Sequence, residues 1–465
     1  MWMRTVGFAA VMGWTALLGA GVPQPVDWVP ARWQWSDPKS LDLLNGSPVN
    51  CLLLKTYSAD LEAAAAERGL VTLAVVTPDG DAVAEVRKAL AAKLTGIVLE
   101  GDFPAAVAAS VRAAAGAAPV IEITSRSRMK LGAGVPILGT YQGVWPGIAS
   151  LDSGHAKSGP TGSTWIDTNT GFIHAVRAWG DAQLWIANQP PEHSVVTSQR
   201  YLQVIADAAA SGGRWVVSLD GDLAARLAKR DAGALRDWQR MGAMLAYFER
   251  HPEWRSMREL GKLAVVQDPA KGGLLSGGIL DMLAVKHTPV RPIPRENLTP
   301  EALQGATMAV NVDADALTPE QKNVLRGFTR GGGMLLTAPP GWKDETPKAD
   351  RITLDQAETE HLNDVFRDVN SMVGSRNLGV RLFNVSSVLS NVLVSADGKT
   401  EVVHLVNYSD YPVENVTLHY LGEFKRAALT TPEGTEKPLE IYRTEEGSGV
   451  DIDNVNVCAT IRLEQ

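Results

Sequence analysis

Carboxylates recur where short apolar runs end. The run Gly96–Leu99 is followed by Glu100 and, one glycine later, by Asp102. The run Arg214–Leu219 is followed by Asp220 and, again one glycine later, by Asp222. A third such place is the stretch YQGVWPGIASLDSGHAKSGPTGSTWIDTN at 141–169, after Pro136-Ile137-Leu138-Gly139, which carries Gln142, Trp145, Asp152, His155, Lys157, Trp165 and Asp167. Paired carboxyl groups are what acid/base cleavage of a glycosidic bond needs, about 5 Å apart for retention and about 6.5–9.5 Å for inversion. Indole faces stack on the C–H faces of sugars, while carboxylates and amides bond the hydroxyls. Loops longer than about 12–15 residues are functional or disordered, and two indoles argue against disorder. The stretch therefore reads as the wall of a polar, aromatic pocket. Read without a ligand, it is an Ω-loop whose indoles cap the core.

The surrounding elements say where these groups should stand. From 28 to 260, short apolar runs alternate with Ala-rich helical ones. Strands are expected at Ala31–Trp35, Val49–Leu54, Val71–Val76, Gly96–Leu99, Val120–Ile123, Ile137–Tyr141, Gln183–Ala187 and Arg214–Leu219. Helices are expected at Ser58–Arg68, Ala82–Lys93, Ala105–Ala115, Asn169–Trp179 and Ser198–Ala210, with a long last helix over Asp231–Met257. Continuous apolar strands belong to sheets covered on both faces, and strand–helix repetition means parallel pairing. The expected fold is α/β, a (β/α)8 TIM barrel, with a doubly wound open sheet as the competing arrangement. Chemistry in such barrels sits at the carboxyl ends of the strands. Glu100, Asp167 and Asp220 are the candidate catalytic carboxylates. Trp145, Gln142, Asp152, Trp165, Asn188, Gln189, Asp102, Asp222 and Lys55 are candidate substrate-binding groups. Lys55, ending the second strand, is read as a sugar-binding cation, a Schiff-base lysine or half of an ion pair. Glu122 falls inside the fifth strand, where burial and pairing are expected.

A second α/β unit is expected over 261–345, with strands at Leu263–Gln267, His287–Pro292, Met308–Val312 and Gly333–Thr337 and helices at Leu274–Ala284 and Pro319–Thr329. Residues 346–377 read as a linker or excursion. From 378 to 465, short strands separated by turns such as Asp397-Gly398 and Glu433-Gly434 predict a small antiparallel β-sandwich.

Composition narrows the partners. Net charge is −8 without a long basic run, which argues against nucleic acid. Thirteen Trp against eight Phe and eight Tyr favours carbohydrate contact, although several indoles belong to the core. Residues 1–22 read as a secretory signal peptide: Arg4, the apolar Val6–Leu18, then a small-residue site at Leu18-Gly19-Ala20. That implies an exported, periplasmic or extracellular protein with no membrane attachment after cleavage. Cys51 and Cys458 are expected as buried thiols. The eight scattered His give no zinc-ligand spacing, so neither metal nor other cofactor is expected.

LTPEQKNVLRGFTRGGGMLLTAPPGW (317–342), the helix Asp237–Trp254 running into a new strand, and VHLVNYSDYPVENVTLHY (403–420) together resemble family 42 β-galactosidases and their relatives. In that plan a barrel precedes an amidotransferase-like trimerisation domain and a β-sandwich, so the resemblance implies a glycoside hydrolase-like protein and a homo-oligomer through the second unit. It also implies an acid/base at Glu100, although the Asn that usually precedes that Glu is Leu99 here. The family's nucleophilic Glu at the end of the seventh strand is replaced by an amide, Asn188 or Gln189, and Glu192 lies beyond Pro190-Pro191. Amidotransferase chemistry needs a Cys nucleophile, and no Cys lies between 51 and 458. Gly331-Gly332-Gly333 precedes a strand rather than a helix, so it lacks the anion-binding amides of a helix start. Two functions follow as expectations: hydrolysis with Glu100 partnered by Asp167 or Asp220, or a catalytically silent barrel that binds glycan.

Overall fold

The apolar runs that bound the carboxylates become strands because both of their faces are covered. The computed structural model describes residues 23–132, 134–152, 155–158, 167–267, 289–311, 317–337, 379–445 and 447–465, with a few positions between 360 and 372. β1 (Pro30–Trp33), β2 (Cys51–Leu54), β3 (Val71–Val76), β4 (Gly96–Glu100), β5 (Val120–Thr124) and β6 (Ile137–Thr140) follow one another in one sheet. After the antiparallel hairpin of β7 (Ile148–Asp152) and β8 (His155–Ser158), β9 (Gln183–Ile186) and β10 (Arg214–Trp215) complete that sheet. Every pairing along it with a known register is parallel. Eight strands in chain order with helices between them make the (β/α)8 barrel that the sequence predicts. The predicted signal peptide and Trp165 lie outside the described residues. No helix among the described residues is long and apolar enough to cross a membrane.

By its contacts the chain divides into two compact units, Met1–Asp42 with Val49–Glu122, and Leu43–Pro48 with Ile123–Gln465. The first holds β1 to β4, the start of β5, and the helices α1 (Ala59–Glu67), α2 (Ala82–Ala91) and α3 (Ala105–Ala115). Ser58 and Asp81 cap α1 and α2 by accepting from the amides of Leu61 and Ala84. Glu62 on α1 accepts from Thr72 of β3, and burial raises its carboxyl above the ordinary range.

The second unit carries α4 (Thr170–Arg177), α5 (Ser198–Ala210), α6 (Gly221–Ala228), α7 (Ala232–Glu249) and α8 (Glu253–Ser256). Three expectations are corrected here. The long helix predicted over Asp231–Met257 breaks into α7 and α8 at Pro252, which has no amide to donate and whose ring crowds the preceding turn. The eighth strand is short, and the segment after it is helix α6, with Asp220 as its cap rather than a strand-end acid. The stretch 141–169, read as a loop, contains the hairpin β7–β8.

β12 (Leu263–Gln267), β13 (Val290–Pro294), β14 (Met308–Asn311) and β15 (Met334–Thr337) form a second parallel sheet in the order β13-β12-β14-β15, preceded in the chain by the short β11 (Arg258–Glu259). Helix α9 (Pro319–Arg330) starts in a capping box of Thr318 and Gln321 with Pro319 in its first turn. The predicted helix Leu274–Ala284 and most of the 339–377 stretch lie outside the described residues.

Two antiparallel sheets follow. One runs β11-β17 (Val388–Val394)-β18 (Thr400–Asn407)-β24 (Cys458–Glu464)-β20 (Arg426–Thr430)-β21 (Lys437–Leu439). The other runs β16 (Val380–Phe383)-β19 (Val413–Tyr420)-β23 (Ser448–Val455)-β22 (Tyr442–Arg443). Val403, Leu405, Val416, Leu418, Val450 and Ile461 pack between them. β23 has a thin apolar face, Val450, Ile452 and Val455, interrupted by Asp451, Asp453 and Asn454. Between Lys437 and Arg443 the chain makes two short strands, β21 and β22. α5 lies against α7, β10 and β18, which explains why residues on every side of it are buried. Cys51 and Cys458 are both buried thiols, and burial pushes the Cys458 thiol up.

Candidate functional site

Glu100 is the last residue of β4, and Arg32 lies on β1 in the same unit. The guanidinium grips both carboxylate oxygens, with Nη1 to Oε2 at 2.8 Å and Nη2 to Oε1 closer still. Both side chains are almost buried, so the fork is a strong, oriented pair. Glu100 thus reaches the end of the fourth strand, as predicted, with each oxygen already engaged. In the same unit Asp102 is half-buried, Lys55 is exposed, and Glu122 pairs with Arg112.

In the second unit the other two catalytic candidates have structural partners. Asp220 is 4% exposed. Its Oδ1 accepts from the amides of Asp222 and Leu223 at 2.9 and 3.0 Å, which caps α6. Its Oδ2 accepts from Tyr201 Oη at 2.7 Å and from the amide of Val196 at 3.4 Å. Burial, and then the charge of Asp220, raise the Tyr201 phenol beyond its ordinary range. Asp167 is 3% exposed and accepts from the Gly147 amide at 2.8 Å. Asp222 is exposed and lies 3.6 Å from Arg226. Asp152 is the last residue of β7.

β6 and β9 are neighbours, and their ends carry Gln142, Asn188 and Gln189. Asn188 Nδ2 donates to the Gly143 carbonyl at 2.6 Å, while Gln142 Oε1 accepts from the Arg126 amide at 2.7 Å. Gln189 is exposed. Gly143 must be glycine, because a Cβ there would stand 2.4 Å from Ile186 and 3.1 Å from Trp215. Trp145 is only 6% exposed. Its ring meets Trp215 edge to face at 5.0 Å and Tyr201 at 5.5 Å. It is packed inside rather than laid open at a rim. The indole N–H groups of Trp145 and Trp215 are both buried without an acceptor among the described residues.

The residues that organise this end of the second unit were missed by sequence reasoning. Asp207, 1% exposed on α5, accepts from the hydroxyls of Thr168 and Tyr408 at 2.5 Å each, and from that of Thr170 at 3.2 Å. It also accepts from both the backbone and the side-chain amide of Asn169 at 2.9 Å. Asn169 in turn closes the stretch that began at Gln142. Its Oδ1 accepts from the Val144 amide at 2.7 Å and its Nδ2 donates to the Val144 carbonyl at 3.1 Å. Arg126 adds a bond to Asn169 and stacks 3.8 Å over the Phe172 ring. Fully buried Arg200 binds Gln203, Asp410 and the Tyr408 carbonyl. An Asp and an Arg on the apolar side of the run SQRYLQVIADAAA (198–210), beside Tyr201, Val204 and Ala208, were the available signal. Among the described residues no three His, Cys, Asp or Glu side chains gather as a metal site requires.

No protein-family model and no curated protein matches the sequence. Solved structures do match the fold. The chain is similar to α-L-fucosidase isoenzyme 2 from Paenibacillus thiaminolyticus, with a TM-score of 0.61 at 10% identity over 94% of this chain and 99% of that one. It is more loosely similar to Gan42B, a GH42 β-galactosidase (TM-score 0.39, 9% identity, 87% of this chain and 66% of that one). The β-galactosidase from Rahnella sp. R3 is comparable, with a TM-score of 0.40 at 10% identity over 87% of this chain and 65% of that one. The fucosidase match spans both chains almost end to end, and at such low identity it is a statement about fold. This chain has a glycoside hydrolase-like fold.

Proposed function

We propose that this chain is an exported, glycoside hydrolase-like protein that binds a carbohydrate at the carboxyl ends of its barrel strands without cleaving it. One observation carries the binding half: the two buried indole N–H groups of Trp145 and Trp215, which have no acceptor among the described residues. Unpaired buried donors are costly, and the hydroxyl oxygens of a sugar are neutral acceptors that suit them. The amides of Gln142, Asn188 and Gln189 at the ends of the neighbouring β6 and β9 add neutral donors and acceptors of the kind sugars use. Export is supported by the sequence of residues 1–22 alone.

The silence of the site follows from what the carboxylates already do. Hydrolysis by paired carboxylates needs one group to give a proton and another to attack or to activate water. Asp220 holds a helix start and a tyrosine, Asp167 holds the Gly147 amide, and the seventh strand ends in amides. The Arg32–Glu100 fork favours the second reading, hydrolysis led by Glu100, because a guanidinium orients a carboxylate at a strand end. Titration of the tryptophan fluorescence with neutral mono- and oligosaccharides tests the first reading. A saturable change is expected, weakened tenfold or more in Asn188→Ala. No change with any sugar would remove the binding claim.

A further inference from the structure

The second parallel sheet carries polar groups for which neither the fold nor the barrel reading has a use. β12 is its first strand in the chain, β13 lies on one side of it, and β14 and β15 lie on the other. The chain direction therefore reverses between β12 and β14. In open α/β sheets the crevice outside the carboxyl ends of the strands at that reversal is where ligands bind. Gln267 is the last residue of β12 and Asn311 the last of β14, and Asn311 is in register with Val266. They flank the reversal, one side chain toward each face of the sheet.

Gln267 and Asn311 are 1% and 2% exposed. Gln267 Oε1 and Nε2 and Asn311 Oδ1 have no hydrogen-bond partner among the described residues. Two buried side-chain amides elsewhere in the same unit, Gln203 and Asn391, are bonded, whereas Gln199 Nε2 is also without a partner among the described residues. Gln203 donates to the carbonyls of Asn407 and Ser409 and accepts from Arg200. Asn391 donates to the Ala210 carbonyl. Interiors tolerate few such orphans, and two of them at one pair of strand ends call for an explanation, of which an absent hydrogen-bonding occupant is one.

We propose that the carboxyl ends of β12 and β14 form a second ligand site, for a small neutral polyhydroxylated molecule such as a monosaccharide or a cyclitol. The unsatisfied set is two carbonyl oxygens and one amide nitrogen, with no charge among them. A hydroxyl both donates and accepts, so hydroxyls on opposite edges of one ring seated over the strand ends satisfy all three atoms without burying an ion. This site is distinct from the barrel site and does not depend on it.

Calorimetric titration of the full chain with L-fucose, D-galactose, D-glucose and myo-inositol tests the proposal. The proteins compared are wild type, Gln267→Met, Asn311→Leu and Asn188→Ala. At least one of the four compounds should bind wild type. Its affinity should fall tenfold or more in Gln267→Met and in Asn311→Leu, and this binding event should persist in Asn188→Ala. Without ligand, Gln267→Met should melt at or above the wild-type temperature, because it deletes an unpartnered amide. Binding by none of the four, or unchanged binding in both sheet variants, overturns the site. So does a marked drop in the melting temperature of both variants, since it means that these amides were partnered. Loss of binding only in Asn188→Ala assigns the ligand to the barrel and sinks this proposal alone.

Discussion

At the scale of single residues, the carboxylates separate by what they hold. Asp220 has the partners of a helix cap, so its substitutions should read as stability. Asp220→Asn keeps an oxygen for the amides of Asp222 and Leu223 and should cost little. Asp220→Ala loses the cap, worth about 1 kcal/mol, and strands the buried Tyr201 hydroxyl, for a further ~1–3 kcal/mol. Chemical denaturation of the two variants checks this, and equal loss in both would contradict it. Glu401 makes a pH prediction. It is 7% exposed in β18, accepts from Tyr420, and burial pushes its carboxyl from 4.5 up to about 7. A folded value above the unfolded one means the folded chain holds the proton more tightly. The stabilisation is complete below the unfolded value and is lost as pH rises through about 7, at most roughly 3 kcal/mol. Melting temperatures from pH 4 to 8 should fall more steeply for wild type than for Glu401→Gln, and parallel curves would refute the assignment. His404 works in the opposite sense: burial holds it down to about 3, so it stays neutral across that window.

At the scale of elements, the polar cluster on α5 ties three stretches together. Asp207 gathers Thr168 and Asn169 from the segment before α4, Thr170 from the start of α4 and Tyr408 from the turn after β18. Tyr408→Phe should therefore loosen a segment distant from it in sequence. We expect faster hydrogen exchange at the amides of Val144 and Asn169, with a global loss of about 1 kcal/mol. Unchanged exchange there would show that Asp207 holds the segment without the tyrosine. Local elements were legible in sequence wherever periodicity and capping agreed: Ala105–Ala115 and Ser198–Ala210 are helices as predicted, and Val71–Val76 is a strand as predicted. The misses have local causes. Pro252 outweighs an apolar period that runs past it, and Asp220-Gly221-Asp222 is a helix start that also looks like a strand end. The Asp207 cluster was illegible because its partners lie up to 201 residues away in sequence. Glu100 could be placed at the end of the fourth strand, but nothing near it in sequence names Arg32 on the first.

At the scale of the whole molecule, the fold is glycoside hydrolase-like, while Glu100, Asp167 and Asp220 each have structural partners. The sandwich contributes directly to the second unit. Arg200 reaches Asp410, Tyr247 donates to Thr460 at 2.6 Å, and Asn391 donates to the Ala210 carbonyl at 2.7 Å. Those bonds account for a helix buried on every side, and they make the sandwich part of the scaffold rather than an appendage. Fold alone does not decide activity. The deciding measurement is release of aryl alcohol from a panel of aryl glycosides, α-L-fucoside and β-D-galactoside included, by wild type and by Glu100→Gln, alongside saccharide binding to the same preparations. Saturable binding is expected, with no release above background by either protein. Release by wild type that disappears in Glu100→Gln would contradict it and make Glu100 a catalytic acid.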